Sequence, residues 1–249
     1  CITPLGFDVD SNMKALSIGE SGIQFHNKVG NISSFYASII DKKSLNTFFL
    51  EYFSETTFTN LEKMLLLALK PLIDKNKITS RTAFIFSTTK GNISALEDKA
   101  NSIEKAQLSV LASKISGYFG FKNEPIVVSN ACVSGILSVA VAKRLIQSGM
   151  YDDAYVVAGD EVSEFVLSGF NAFQAMSDLP CKPYSKNRTG VSLGEATAAV
   201  LISAEAKENR IYIKITDSGN GIEKEIENKI FLPFFTTRNE GAGIGLTLS

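Results

Sequence analysis

Cys132 stands in the run Ser-Asn-Ala-Cys-Val-Ser-Gly at 129–135, directly before the stretch GILSVAVAKRLIQSG. A cysteine at that junction heads a helix. Free backbone N–H groups and the helix dipole there favour the thiolate, the form that attacks a thioester. On position alone the same residue reads as readily as a small core side chain, since free cysteine is commonly buried and inert. A second set of residues lies near the carboxyl end: Asp217, Gly219 and Gly221 in DSGNGI, then Gly241, Gly243 and Gly245 in GAGIGL. A carboxylate at a strand end accepts a hydrogen bond from an exocyclic amine such as that of adenine. Glycines let the backbone approach a flat ring closely, and a glycine-rich turn that opens a helix aims N–H groups at phosphate. A single G-x-G-x-G taken alone is equally a flexible loop.

The elements that must position these residues follow from periodicity and punctuation. Thr3–Gly6 reads as a turn and Val9–Leu16 as a short helix that stops before Gly19. Ile32–Glu55 has no clean period and predicts no element. Leu61, Met64, Leu65, Ala68, Leu69 and Leu72 recur at helical spacing, which predicts an amphipathic helix. Pro71 is expected to end or kink it near Lys70. Ala83–Ser87 predicts a strand stopping at Lys90-Gly91, about 101–118 a helix, and Ile126–Val128 a short strand leading into the cysteine segment. The helix from Gly135 is small or apolar on every side for two turns, so it is expected to be buried all round, with a glycine cap at Gly149. Tyr155–Ala158 and Ala198–Ile202 are continuous apolar runs, expected as strands covered on both faces. Strands alternating with helices predict an α/β layered fold. Near Ala204 the texture turns charged, and a strand at Ile211–Ile215 precedes Asp217, so a boundary is expected between about 203 and 210.

Bulk properties exclude several classes. With 45% hydrophobic and 20% charged residues the chain is an ordinary globular one. A net charge of −1 gives no footprint for nucleic acid, and no apolar run approaches the ~20 residues of a membrane helix. Cys1, Cys132 and Cys181 are odd in number and far apart, which fits reduced thiols in the cytoplasm rather than a disulfide framework. No metal-ligand cluster stands out. The first residue is Cys rather than Met and the end follows a glycine motif at once, so the chain is expected to be cut at both ends.

Taken in order, ITPLG, FSTTKG, SNACVSG, SGMYDDAYVVAGDE, FNAFQAMS and CKPYSKNRTGVSLGEATAAVL closely resemble the β-ketoacyl-acyl-carrier-protein synthases over about residues 2–204. The resemblance implies a thiolase-like layered α/β domain at 1–204, its amino-terminal half, with no cofactor. It also implies a homodimer and condensation of an acyl thioester with malonyl-carrier protein. By that resemblance Cys132 is the acyl-accepting nucleophile and its own N–H is half of an oxyanion hole. Pro183-Tyr184-Ser185 stands where the family has Pro-Phe-Asp, and Ala196 where it has Gly. The family commonly uses two further histidines from its second half. This chain has one histidine, His26, outside the matching motifs and expected to be a packing or surface residue.

ITDSGNGI, KIFLPFFTTR and GAGIGL resemble the ATP-binding domain of sensor histidine kinases over about residues 206–249. This implies a fragment of an α/β sandwich ATPase domain at 205–249, with Asp217 on adenine, Gly219 and Gly221 shaping the pocket, and Gly241, Gly243 and Gly245 lining the phosphates. The family's Asn-bearing helix, which holds Mg²⁺, does not precede Ile211, so ATP and Mg²⁺ are expected to bind weakly. Three readings stand: a synthase-type acyltransferase working with acyl carrier protein and acyl thioesters, an ATP-binding signalling fragment, and an inactive chimeric fusion of two gene fragments. The segment LISAEAKENRIYIKITDSG continues either family.

Overall fold

Alternation along two central strands decides the layering, because successive side chains leave a strand on opposite faces. The computed structural model describes residues 1–55, 57–97 and 103–204. In β3 (Thr82–Ser87) and β5 (Asp153–Asp160), Phe84, Phe86, Tyr155 and Val157 face one way, and Ala83, Ile85, Ala154 and Val156 the other. The large set packs on α2 (Lys42–Leu50), α3 (Asn60–Ile73) and α4 (Leu108–Phe119). The small set packs on α5 (Ser134–Gln147). The sheet order is β4-β3-β5-β7, with β4 (Ile126–Val128) and β5 parallel to β3, and β7 (Ala196–Ser203) antiparallel to β5. This is the layered α/β arrangement the alternation of elements predicts. A smaller sheet joins β1 (Gln24–Val29), β2 (Ile32–Ser38) and β6 (Leu193–Gly194), while α1 (Val9–Ser17) and α6 (Glu164–Ala172) lie outside the main sheet.

Two helices depart from expectation in opposite directions. Every residue of α3 from Leu61 to Leu69 is buried, Glu62 and Lys63 included, so this helix is enclosed rather than amphipathic. The reason is its position against β5 and β7 on one side and α2 and α4 on the other. Glu62 is tolerated inside because its carboxylate accepts from Thr59 N (2.9 Å), Asn92 Nδ2 (3.0 Å) and Lys114 Nζ (2.7 Å). Thr59 and Glu62 together close a capping box at the helix start. Conversely, α5 buries only Ser134, Ser138, Ala142 and Ile146, one face at four-residue spacing, and Ile136 on the opposite side is 61% exposed. It is half-buried, not buried all round.

Other elements refine the sequence reading. Pro71 lies in the last turn of α3, which runs on to Ile73. A proline there forfeits one hydrogen bond and leaves the cap bond from Asp74 N to Lys70 O in place (2.9 Å). The stretch about 101–118 resolves into a short 3-10 turn, Ile103–Ala106, followed by α4, which Gly120 ends in the left-handed conformation. Ile32–Glu55 holds β2 and α2. Its period is hidden because Ser34, at φ 60°, interrupts the strand alternation. Strand β7 has one face on α3, while the other meets α5 through Ile202 and leaves Val200 44% exposed, so it is covered fully on one side and in part on the other. The cap of α5 is as expected, with Gly149 at φ 72° donating to Ile146 O.

Removing the Glu62 carboxylate orphans three donors, one of them the Lys114 ammonium, whereas Lys114 is itself half in water. Glu62→Ala is expected to cost about 3 kcal/mol in urea denaturation, and Lys114→Ala under about 1 kcal/mol. Equal losses would show that the ion pair alone carries the energy.

Candidate active site

The turn between β4 and α5 presents Cys132. Asn130 leaves the strand, Ala131 takes a left-handed φ of 44°, and a 3-10 turn over Ala131–Val133 enters α5. A non-glycine residue in that region is strained and is held by its surroundings. Ser134 supplies the hold. Its buried Oγ accepts from Asn130 N and donates to Ala131 O, both at 2.7 Å. Cys132 thus stands at the helix entrance directly after a strand, as the sequence places it. It is exposed rather than enclosed, since it sits in the turn ahead of α5 and not on the helix face that packs on the sheet.

Cys132 lines a cavity of about 570 Å³. Its floor is the carboxyl end of β3 and β5, one wall is the start of α5, and the opposite wall is α6 with β6. Most of the lining is apolar: Val162, Phe165, Val166, Phe170 and Leu193. Lys90 stands at its edge, 6.0 Å from the centre of the Phe165 ring.

Three carboxylates organise the end of β5, none of which the sequence reading assigned. Asp160 Oδ1 accepts from Thr88 Oγ1, Thr89 N and Thr89 Oγ1, each at 2.8 Å, and so ties down the loop after β3. Glu195 accepts from Ile40 N (2.9 Å) and Val162 N (3.1 Å), joining the ends of β2 and β5. Glu161 is buried, lines the cavity, and receives a hydrogen bond from the Ser94 hydroxyl. Burial pushes the Glu161 carboxyl up from 4.5 to about 7, with the nearby Glu195 adding to the rise and Ser94 and Lys42 opposing it. Burial also raises Glu195, against its two backbone donors and the charges of Lys42 and His26. The only signals in the sequence were Asp-Glu after an apolar strand and Gly-Glu before another.

His26 packs on the hairpin of β1 and β2, stacked on Phe35 at 5.6 Å with Nε2 3.1 Å from Ala37 O, and it does not line the cavity. Among the described residues no group of three or more His, Cys, Asp or Glu is placed to hold a metal, and no helix is long and apolar enough to cross a membrane. Asp217, Gly219, Gly221, Gly241, Gly243 and Gly245 lie outside the described residues.

The family model for the β-ketoacyl synthase N-terminal domain matches residues 1–208. The chain belongs to the β-ketoacyl synthase family. A second family model, that of the histidine kinase-, DNA gyrase B- and HSP90-like ATPases, matches residues 183–249, so the two overlap over 183–208. That overlap includes the start of the segment that continues either family. The 3-oxoacyl-[acyl-carrier-protein] synthase 2 of Vibrio cholerae is 24% identical, covering 88% of this chain and 60% of its own length. The sensor histidine kinase ZraS of Salmonella typhimurium is 48% identical over 50 residues, 19% of this chain and 11% of the kinase. Among solved structures, the ketosynthase ApeO in complex with its chain length factor ApeC, from Xenorhabdus doucetiae, aligns with a TM-score of 0.67 at 20% identity. That alignment covers 83% of this chain and 56% of the other. The fold is therefore that of the ketosynthases, and the chain spans about three-fifths of the length of the synthase relative.

Because burial raises the Glu161 carboxyl, the unfolded chain ionises first as pH rises. The Glu161 contribution to stability is fully present below pH 4.5, is expected to fall between 4.5 and about 7, and then to level at a penalty of about 3 kcal/mol. Glu161→Gln is expected to flatten that slope and to exceed wild type in denaturant midpoint at pH 8 but not at pH 4. An unchanged slope in the variant would show that Glu161 ionises freely.

Proposed function

We propose that residues 1–204 form an acyltransferase of the β-ketoacyl synthase type, in which Cys132 accepts an acyl group from a thioester of acyl carrier protein. The observation that carries this reading is a thiol at a strained helix entrance, on the rim of a largely apolar cavity, within a ketosynthase fold. Cys132 Sγ attacks the thioester carbonyl carbon, the bond to the carrier sulfur breaks, and the carrier leaves as its thiol with the proton that Cys132 gives up. The developing oxyanion lies at the start of α5, where backbone N–H groups and the helix dipole stabilise negative charge. The acyl chain enters the cavity between α5 and α6. No histidine lines this cavity among the described residues, so the reading stops at the acyl-enzyme and assigns the decarboxylative step to no residue here. A second copy of the chain is the partner by family resemblance. The three free cysteines fit a reducing cytoplasm.

Incubation with an octanoyl thioester is expected to add one octanoyl group to Cys132, seen by peptide mass spectrometry, and none to Cys132→Ala. An adduct confined to Cys1 or Cys181 would overturn the assignment.

A second reading is favoured by the ATPase family match at 183–249: the segment 205–249 contributes a nucleotide site, with Asp217 on adenine and Gly241, Gly243 and Gly245 at the phosphates. Mg-ATP affinity measured by calorimetry is expected to be no tighter than millimolar. Tighter binding that Asp217→Asn abolishes would show a complete ATP site.

A further inference from the structure

Glu161 follows β5 directly, lines the Cys132 cavity and keeps only 8% of its surface exposed. The walls beside it are mostly apolar, with Val162, Phe165, Val166 and Phe170 among them. Each element packed about it brings polar or charged groups. The 3-10 turn Ile93–Glu97 brings the Ser94 hydroxyl, which donates to Glu161, and the Glu97 carboxylate, which accepts from Glu164 N at 2.9 Å. The junction of β6 and β7 brings Glu195, which accepts from the N–H of Val162, the next residue along. The start of α2 brings Lys42, whose positive charge favours an ionised Glu161, against the negative charges of Glu195 and Glu97. The loop after β3 brings Lys90, whose ammonium lies over the Phe165 ring, while the Asp160 carboxylate on β5 is turned to Thr88 and Thr89. Cys132 lines the same cavity.

Two carboxylates against one ammonium leave a charged Glu161 poorly compensated. Solvent that reaches it through the cavity therefore carries much of the hydration its charged form needs. An apolar chain that fills the cavity replaces that solvent with carbon. A neutral Glu161 loses little by this, because the Ser94 hydroxyl stays beside it. A charged one loses its hydration.

We propose that the cavity takes up an apolar chain together with a proton, held on Glu161, so that its occupancy is regulated by pH. The inference rests on the reading that acyl chains enter this cavity. Linkage fixes the direction. Burial already carries the free carboxyl up to about 7, and an apolar neighbour raises it further. Below about pH 7 the empty protein already holds the proton, and affinity is level. Above it, binding must draw the proton from solution. Affinity then falls by at most about tenfold per pH unit, until the occupied form ionises too.

The test uses an inert, neutral ligand, a pantetheine analogue carrying octanoyl through an amide in place of the thioester. It is titrated into the Cys132→Ala chain, where residue 132 cannot be acylated. Calorimetry is expected to show about tenfold weaker binding near pH 8.5 than near pH 6. Near pH 7.5, titrations in phosphate and in Tris, which differ in ionisation enthalpy, are expected to reveal uptake of roughly half a proton. Adding Glu161→Gln is expected to level the affinity and abolish the uptake. Adding Lys42→Met removes the opposing positive charge without touching the cavity lining, and is expected to move the fall in affinity to higher pH. Level affinity in Cys132→Ala, no binding at any pH, or a fall that Glu161→Gln retains each overturns the proposal. The two-buffer comparison needs no change at Glu161, so it decides the matter even where Glu161→Gln fails to fold. An octanoyl adduct on wild-type Cys132 without proton uptake on binding sinks the coupling and leaves the acyltransferase reading standing. Proton-coupled binding without an adduct does the reverse.

Discussion

Strand β5 is hydrogen-bonded on both edges, to β3 and to β7, and covered on both faces, by α3 and by α5. Its register leaves no freedom, because a one-residue slip would exchange Tyr155 and Val157 with Ala154 and Val156 and ruin both cores at once. Everything placed by the end of this strand inherits that rigidity. Asp160 holds the loop after β3, Glu161 enters the cavity, and the N–H of Val162 engages Glu195. The site thus stands on the carboxyl ends of a mainly parallel sheet, where open α/β sheets commonly bind ligands.

Against that fixed floor, the cysteine turn is the strained part. Ala131 in the left-handed region costs of order 1 kcal/mol or more, and the two hydrogen bonds of Ser134 hold it there. The strain and the exposure of Cys132 have one origin. The turn lifts the thiol off the packed face of α5, whose Ser134, Ser138, Ala142 and Ile146 spacing is committed to the sheet. A thiol on that packed face would be enclosed and inert.

What the sequence disclosed and what it hid divide along physical lines. The strand–turn–helix around Cys132 was legible because punctuation and apolar runs are local, and so was the glycine cap at Gly149. Enclosure was not. Periodicity reports which faces of a helix tolerate apolar surroundings, not which are covered. The helix with charged Glu62 and Lys63 is therefore the enclosed one, and the more uniformly apolar α5 is half open. The carboxylate cluster was hidden for a different reason. Its bonds span 67 residues between Ser94 and Glu161, 33 between Val162 and Glu195, and 155 between Ile40 and Glu195, so no window of sequence contains them.

That cluster also shows how two glutamates in one buried neighbourhood are held differently. Burial raises both. Glu195 has two backbone N–H donors aimed at its two oxygens, an arrangement that favours the charged form. Glu161 has a single hydroxyl donor to favour its charged form, and it feels the negative charge of Glu195. Of the two, Glu161 is the one whose carboxyl burial carries up to about 7, and it is the member that lines the cavity. The fold uses Glu195 to fasten β2 to β5. Glu161 stands on the wall of the same cavity as Cys132, where burial disfavours a negative charge that would oppose a thiolate.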